Sequence, residues 1–335
     1  MLEQFFQNTS VTPAQTMAIK FRNNSFLIIG RAGLDLYADP PGSEIEHAVA
    51  FQAALGGSAA NIAVALTKQG CKTALLTSVS NDAVGRYTQN QLQNYGVDTQ
   101  YIRTISGEVR TSLAVVETRT ENCQSVIYRN GAADFQLNSS DLQYVPIENY
   151  AAIIVTGTAL AIEPSRSAIM QLLHKASKAT VPIILDVDYR PYSWSSRAEA
   201  QRVCADAAGL CNIVVGNDVE FGVLAGEGDG LQLAQKMAFD GNRLIIYKKG
   251  ELGCTTFAGQ DTFETPIFLV KALKPTGAGD GFMGGFIAGL VANMSVARAV
   301  ERGAATAAIV VTRVGCSTAM PDSYEVDAFL RERNN

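Results

Sequence analysis

Short apolar runs recur along the chain: Phe26-Leu27-Ile28-Ile29, Thr73-Ala74-Leu75-Leu76, Ile153-Ile154-Val155, Ile183-Ile184-Leu185, Ile213-Val214-Val215 and Leu244-Ile245-Ile246. None alternates with polar residues, so each predicts a strand covered on both faces. Between several of them lie alanine-rich stretches of helical length, among them residues 61–69 and 169–179. Such strands alternating with helices predict an α/β fold, a mostly parallel central sheet between two helical layers. Most of the runs end in Gly or Asp, at Gly30, Gly157, Asp186 and Gly216. Open α/β sheets gather ligands at these carboxyl ends.

Two stretches break the pattern. Residues 37–53 form a turn-rich insert around Pro40-Pro41-Gly42, and residues 110–130 predict two strands, 111–118 and 124–129, joined by a polar turn at 119–122. Together they predict a small β-sheet lid; a plain edge hairpin of the main sheet is the alternative. Residues 324–333 predict a charged closing helix. The pattern divides the chain into an N-terminal extension, residues 1–24, and one domain, residues 25–335.

Composition narrows the function. The chain has 335 residues, 47% hydrophobic and 18% charged, which is ample for a core. A net charge of −5 without a basic run disfavours nucleic acid as a partner. No apolar stretch is long enough to span a membrane, and the polar start lacks a signal-peptide pattern, so no membrane partner and a cytoplasmic location are expected. The six cysteines form no C-x-x-C pair and sit among small or apolar neighbours, which predicts buried reduced thiols. His47 and His174 lie far apart, without the spacing of a zinc site.

The chemistry concentrates in Thr276-Gly277-Ala278-Gly279-Asp280-Gly281-Phe282. Small residues ahead of an apolar helix let backbone N–H groups close around an anion at the helix N-terminus, where the dipole favours negative charge. Asp280 stands beside that nest, placed to take a proton from a hydroxyl. A base next to an oxyanion nest is the minimum needed to move a phosphoryl group onto an alcohol. The glycine-rich apolar stretch that follows, residues 282–294, predicts a buried helix. Gly279-x-Gly281-x-x-Gly284 also has the form of a dinucleotide fingerprint, but Lys274 and Pro275 separate it from the preceding apolar run. It does not open off a strand, so a nicotinamide-dependent dehydrogenase is disfavoured. The Walker pattern of P-loop kinases is absent.

Four other places carry a functional reading beside a plain one. Gly56-Gly57-Ser58-Ala59-Ala60-Asn61 either brings backbone close to a ligand, with Asn61 offering its amide to hydroxyls, or is a tight turn. Asn217 and Glu220, three apart on one helical face, either suit a hydrated Mg²⁺ carrying nucleotide phosphates or form a capping box. Lys248-Lys249-Gly250-Glu251-Leu252-Gly253 either lies along a nucleotide with a lysine on its phosphates or is a hairpin turn with a solvated charge pair. In Asp186-Val187-Asp188-Tyr189-Arg190-Pro191-Tyr192-Ser193-Trp194, Arg190 either grips a ligand carboxylate or phosphate or belongs to a structural Arg–Asp pair.

In their order along the chain, over about residues 27–330, these motifs resemble the ribokinase-like (PfkB) carbohydrate kinases. The resemblance implies a Rossmann-type three-layer core with a small β lid, and ATP with Mg²⁺ as cofactors. Carried over by position, it implies Asp280 as the base and the amides of Gly277, Ala278 and Gly279 around the transferring phosphoryl group. It implies Asn217 and Glu220 as organisers of Mg²⁺ and phosphates, Glu220 through water. Lys248, Gly250 and Gly253 would line the nucleotide, and Asp35, Gly57 and Asn61 would hold sugar hydroxyls.

Within the family, three stretches are similar to members that phosphorylate the terminal hydroxyl of 5-dehydro-2-deoxy-D-gluconate in myo-inositol catabolism. They are Gly30-Arg31-Ala32-Gly33-Leu34-Asp35-Leu36-Tyr37, Asp188-Tyr189-Arg190-Pro191 with Trp194, and Cys316-Ser317-Thr318-Ala319-Met320-Pro321. A kinase of 2-keto-3-deoxygluconate or of a neutral sugar such as fructose is the alternative, and a silent sugar or nucleotide sensor a further one. Related sugar-acid kinases grip the substrate carboxylate with arginines, which implies a clamp of Arg129 and Arg190. Two departures stand out. Lys274 occupies a position where many members carry an Asp that helps bind a monovalent cation, which implies no potassium requirement. Asp188 stands where relatives acting on keto-deoxy acids often carry Asn. Some members pair two subunits through their lids, so a homodimer is an implied assembly.

Overall fold

A computed structural model describes residues 20–333; of the expected N-terminal extension, residues 1–19 lie outside the described residues. All six apolar runs are strands of a single nine-stranded sheet. Its order is Asp261–Thr265, Cys254–Ala258, Leu244–Lys248, Ile213–Asn217, Ile183–Asp186, Ala152–Thr156, Ser25–Ile29, Lys72–Ser80, Ile102–Ile105. Neighbours run parallel from Leu244–Lys248 to Ile102–Ile105, and an antiparallel hairpin forms the opposite edge. That hairpin mixes Phe257 and Phe263 with threonines and acids, so apolar runs do not reveal it.

Side chains alternate across the sheet. Phe26, Ile28, Ile154, Ile184 and Val215 pack on the helices Ser58–Lys68 and Ala278–Val291. Leu27, Ile29, Ile153, Leu185 and Val214 pack on Ser165–Lys178 and Arg197–Leu210. Full burial of each such side chain contributes about 1.5–3 kcal/mol, which holds the three layers together. The helices Ser58–Lys68, Ser165–Lys178 and Ala278–Val291 begin three or four residues before their sequence-predicted starts. Their first turns are small or polar and escape an apolar count. The closing helix is Ser323–Arg333.

A second sheet stands apart, in the order Ala50–Gly56, Gly33–Asp39, Leu113–Val116, Ser125–Tyr128. It is not an edge hairpin of the main sheet. The insert predicted at 37–53 is strand at both ends, residues 37–39 and 50–53, and the pairing extends outward to residues 33 and 56. Only the segment between the two strands is turn-like, with a single helical turn at Ile45–His47. Leu34 and Leu36 alternate with Asp35, but Asp35 and Tyr37 take the buried face and the leucines are half-buried, so the apolar pattern does not mark the covered side of this strand. All six cysteines are free, and five are buried. Among the described residues no helix is long and apolar enough to cross a membrane.

Candidate functional site

Gly277 caps the helix Ala278–Val291 with φ +83°, and a Cβ there would lie 2.9 Å from Sγ of Cys316. Glycine alone adopts this turn without strain. The amides of Gly277, Ala278 and Gly279 are then left without intrahelical partners, as at any helix start.

Asp280 sits in the first turn. Its Oδ2 accepts a hydrogen bond from Nδ2 of Asn61 at 2.8 Å, and Oδ1 of Asn61 accepts one from Oγ of Ser317 at 2.6 Å. Burial, helped by the Asp188 carboxylate, pushes the Asp280 pKa up to about 7, against the pull of Asn61, Arg190 and Lys248. A carboxyl that titrates near neutrality is suited to accepting a proton under physiological conditions.

The helix start separates two hollows. On one side the lid roofs a cavity of about 130 Å³, where Ala114, Val116, Ser125 and Ile127 close over Asp35, Gly57, Asn61, Thr276, Gly277 and Asp280. On the other lies a mostly apolar cleft of about 670 Å³, walled by Leu252, Ile267, Phe268, Leu269 and Val270 and reached by Lys248, Gly250, Gly253, Ala278 and Gly279. Asp280 belongs to the first hollow and Gly279 to the second. A group held in the cleft is thus within one residue of an acceptor held in the cavity.

Three arginines line the roofed cavity: Arg31, Arg129 and Arg190. Each is anchored by an aspartate. Nη2 of Arg190 lies 2.9 Å from Oδ1 of Asp188, so the structural pair is present. Asp188 also accepts from Oγ of Ser58 at 2.7 Å and Oγ1 of Thr158 at 3.0 Å. Nε and Nη2 of Arg129 both donate to Oδ2 of Asp134, at 2.9 and 2.6 Å, and its guanidinium lies 4.2 Å from the Phe135 ring centre. Arg31 donates through Nε to Ser112 (2.8 Å) and through Nη2 to Oδ1 of Asp35 (3.2 Å). Among the described residues Nη1 of Arg31 and of Arg129 has no partner. Asp35 is held tightly: Tyr37 donates to its Oδ2 at 3.3 Å, and a Cβ on Gly56 would come within 1.9 Å of Oδ1.

Asn217 and Glu220 form the capping box. Oδ1 of Asn217 accepts from the Glu220 amide at 2.9 Å, and Oε2 of Glu220 accepts from the Asn217 amide at 2.7 Å. The Tyr189 amide donates to Oε1 at 3.3 Å, so both oxygens of Glu220 are engaged. Neither residue lines either hollow. The Lys248–Gly253 run is a hairpin turn, closed by the Lys249 amide on the Gly253 carbonyl at 2.7 Å. Lys249 is the solvated partner of Glu264, whereas Lys248 turns inward, with Nζ 3.9 Å from Oδ1 of Asp186. Burial opposes its charge, but Asp186, Glu220, Asp280 and Asp188 outweigh that and hold the ammonium protonated. Lys274 is fully buried and donates to the Thr276 carbonyl just before the nest.

Arg31, Ser58, Thr158 and Tyr192 line the cavity and were not singled out from sequence. Arg31 directly follows Gly30, and Thr158 follows Gly157, both recognised strand ends, so inspecting the next residue would have found them. Trp194, by contrast, belongs to the core, with Arg166 5.9 Å from its ring centre.

Residues 23–323 match the family model described as pfkB family carbohydrate kinase. The chain is 36% identical over 313 residues to a 5-dehydro-2-deoxygluconokinase of Photobacterium profundum, covering 92% of this chain and 95% of that one. It is 33% identical over 317 residues to a protein of the same name from Geobacillus kaustophilus, covering 92% and 94%. Among solved structures, a fructokinase double mutant from Vibrio cholerae with fructose, ADP and potassium ion bound superposes with a TM-score of 0.80 at 26% identity, over 92% of this chain and 99% of that one.

Proposed function

The chain belongs to the pfkB family of carbohydrate kinases, and on that premise we propose that it phosphorylates the terminal hydroxyl of 5-dehydro-2-deoxy-D-gluconate with ATP. It is a phosphotransferase acting on a sugar hydroxyl. The observation that supports a sugar acid is the set of three arginines in the roofed cavity, two of them with an Nη1 that has no partner among the described residues. An aldonate carboxylate gives these donors an anionic partner, which a hexose lacks.

In this reading ATP lies in the apolar cleft and the acid under the lid. Asp280 takes the hydroxyl proton as the oxygen attacks the γ-phosphorus. The amides of Gly277, Ala278 and Gly279 and the Lys248 ammonium stabilise the charge on the moving phosphoryl group. Asp35, Gly57 and Asn61 border the sugar. The lid excludes water, which would otherwise compete as acceptor. Asn217 and Glu220 would hold a hydrated Mg²⁺ on the phosphates only through water, since both oxygens of Glu220 are engaged. When bound, Mg²⁺ would neutralise phosphate charge. Six free thiols suit a reducing compartment, so the cytoplasm is the proposed location. Exposed Phe51, Val126 and Tyr128 on the outer lid strands support a lid-to-lid homodimer.

One observation favours a neutral sugar instead: each arginine already has an aspartate partner. ADP release with Mg-ATP and a panel of 5-dehydro-2-deoxygluconate, 2-keto-3-deoxygluconate, fructose and ribose separates the readings. We expect strong preference for the first. Preference for fructose or ribose would discard the carboxylate argument.

Lys274 carries a further expectation. Its ammonium stands beside the nest, with burial lowering its pKa against the pull of Cys316 and Asp280, so we expect full activity in buffer free of sodium and potassium. A many-fold rise on adding K⁺ would refute this.

A further inference from the structure

We propose that Ser317 and Asn61 form a relay that orients the Asp280 carboxylate, both acting as positioning residues for proton transfer. The inference rests on Asp280 being the base. Three observations carry it.

First, the three side chains are joined in series, Ser317 Oγ to Asn61 Oδ1 at 2.6 Å and Asn61 Nδ2 to Asp280 Oδ2 at 2.8 Å. An ionised carboxylate only accepts, so Nδ2 must face it, and the far end of the amide then needs a donor. Ser317 supplies one. Second, Ser317 is fully buried and Asn61 nearly so, which shields the Ser317–Asn61 bond from water. Third, the segment carrying Ser317 is tied to Asn61's own helix, Ser58–Lys68, at a second point: Nζ of Lys68 donates to the Met320 carbonyl at 2.7 Å. The amide is therefore held from both ends of its helix. With Oδ2 occupied, the free oxygen of Asp280 is the one left for a substrate hydroxyl. This gives the Cys316–Pro321 run, otherwise represented in the cavity only by Cys316, a mechanical role.

The relay also affects titration. Asp280 feels Asp188 and Arg190 from the loop after Ile183–Asp186, Asp186 and Lys248 from two strand ends, and Lys274 and Cys316 from the segments flanking the nest. Those groups stay in place when Ser317 is changed. A hydrogen bond to the charged form favours it, so losing the aligned Asn61 donor raises the apparent pKa of the base.

The test is the pH profile of kcat/KM for the wild type, Ser317→Ala, Ser317→Cys, Asn61→Asp and Asp280→Asn, with melting temperatures and the KM for ATP. For Ser317→Ala we expect a loss of about tenfold at about pH 6, much less at about pH 9, and an unchanged KM for ATP. Asn61→Asp should move the acid limb further, since it sets a second carboxylate against Asp280. Ser317→Cys, nearly isosteric but a weak donor, should fall between and serves if the alanine variant does not fold. Superimposable profiles for the wild type and both Ser317 variants would overturn the relay. So would a loss uniform across pH with a lowered melting temperature, which marks a purely structural role. Wild-type activity of Asp280→Asn would instead remove the base on which the relay acts.

Discussion

Asp280→Asn lowers kcat by about 10²–10⁴ while ATP still binds, the range general-base help typically supplies. The residue is the one carboxylate placed where the lid cavity meets the helix nest, and its pKa is held at about 7. The amide keeps shape and hydrogen bonding but cannot take the proton. The wild-type pH dependence follows with a definite sign. Below about 7 the carboxyl of the free enzyme is protonated and cannot act, so kcat/KM falls as pH drops and levels off above that value. The Asp280→Asn variant should lose this limb. Steady-state ADP release across pH, with calorimetric ATP binding, measures both. Near-wild-type turnover of the variant would exclude Asp280 as the base.

Gly277→Ala comes next in size. At φ +83° an L side chain is strained by roughly 1–2 kcal/mol. The new methyl would also meet Sγ of Cys316 at 2.9 Å and Cγ1 of Val310 at 3.2 Å. Relief requires the turn to rotate, which carries the nest amides away from the phosphoryl group. Removing one oxyanion donor costs about 10²–10³ in kcat, and this change misplaces more than one. We expect that loss together with a lower melting temperature. Gly279→Ala is the internal control: its φ is ordinary and its Cβ meets only Nζ of Lys248, at 3.6 Å, so it should fold normally while crowding the phosphate position. Equal kcat for Gly277→Ala and the wild type would remove the nest from the mechanism.

Legibility from sequence followed the range of the interactions. The parallel strands were readable because each is a continuous apolar run, and the nest because its parts are adjacent in the chain. The lid strand Gly33–Asp39 was hidden: its buried face carries Asp35 and Tyr37 while Leu34 and Leu36 are only half-buried, and a proline pair nearby suggested turns. The contacts that arm the site were out of reach. Arg31 meets Ser112 across 81 positions, Asn61 meets Asp280 across 219, and Ser317 meets Asn61 across 256. No local pattern encodes such pairings. Arg129 and Arg190 were legible as charged groups near strand ends, but their aspartate anchors were not separable in advance from ligand contacts. Asn217 and Glu220 show the converse, a local motif whose plain reading, the capping box, is built in full.

The lid roofs the acid's cavity but lends no residue to the apolar cleft. Traffic through the two hollows is therefore governed separately. The acid and its phosphorylated form pass beneath the small sheet, whereas nucleotides meet the wall of Leu252, Phe268 and Leu269. The two hollows still share one nest, so the phosphoryl group of the product and the γ-phosphoryl of a fresh ATP compete for the same amides.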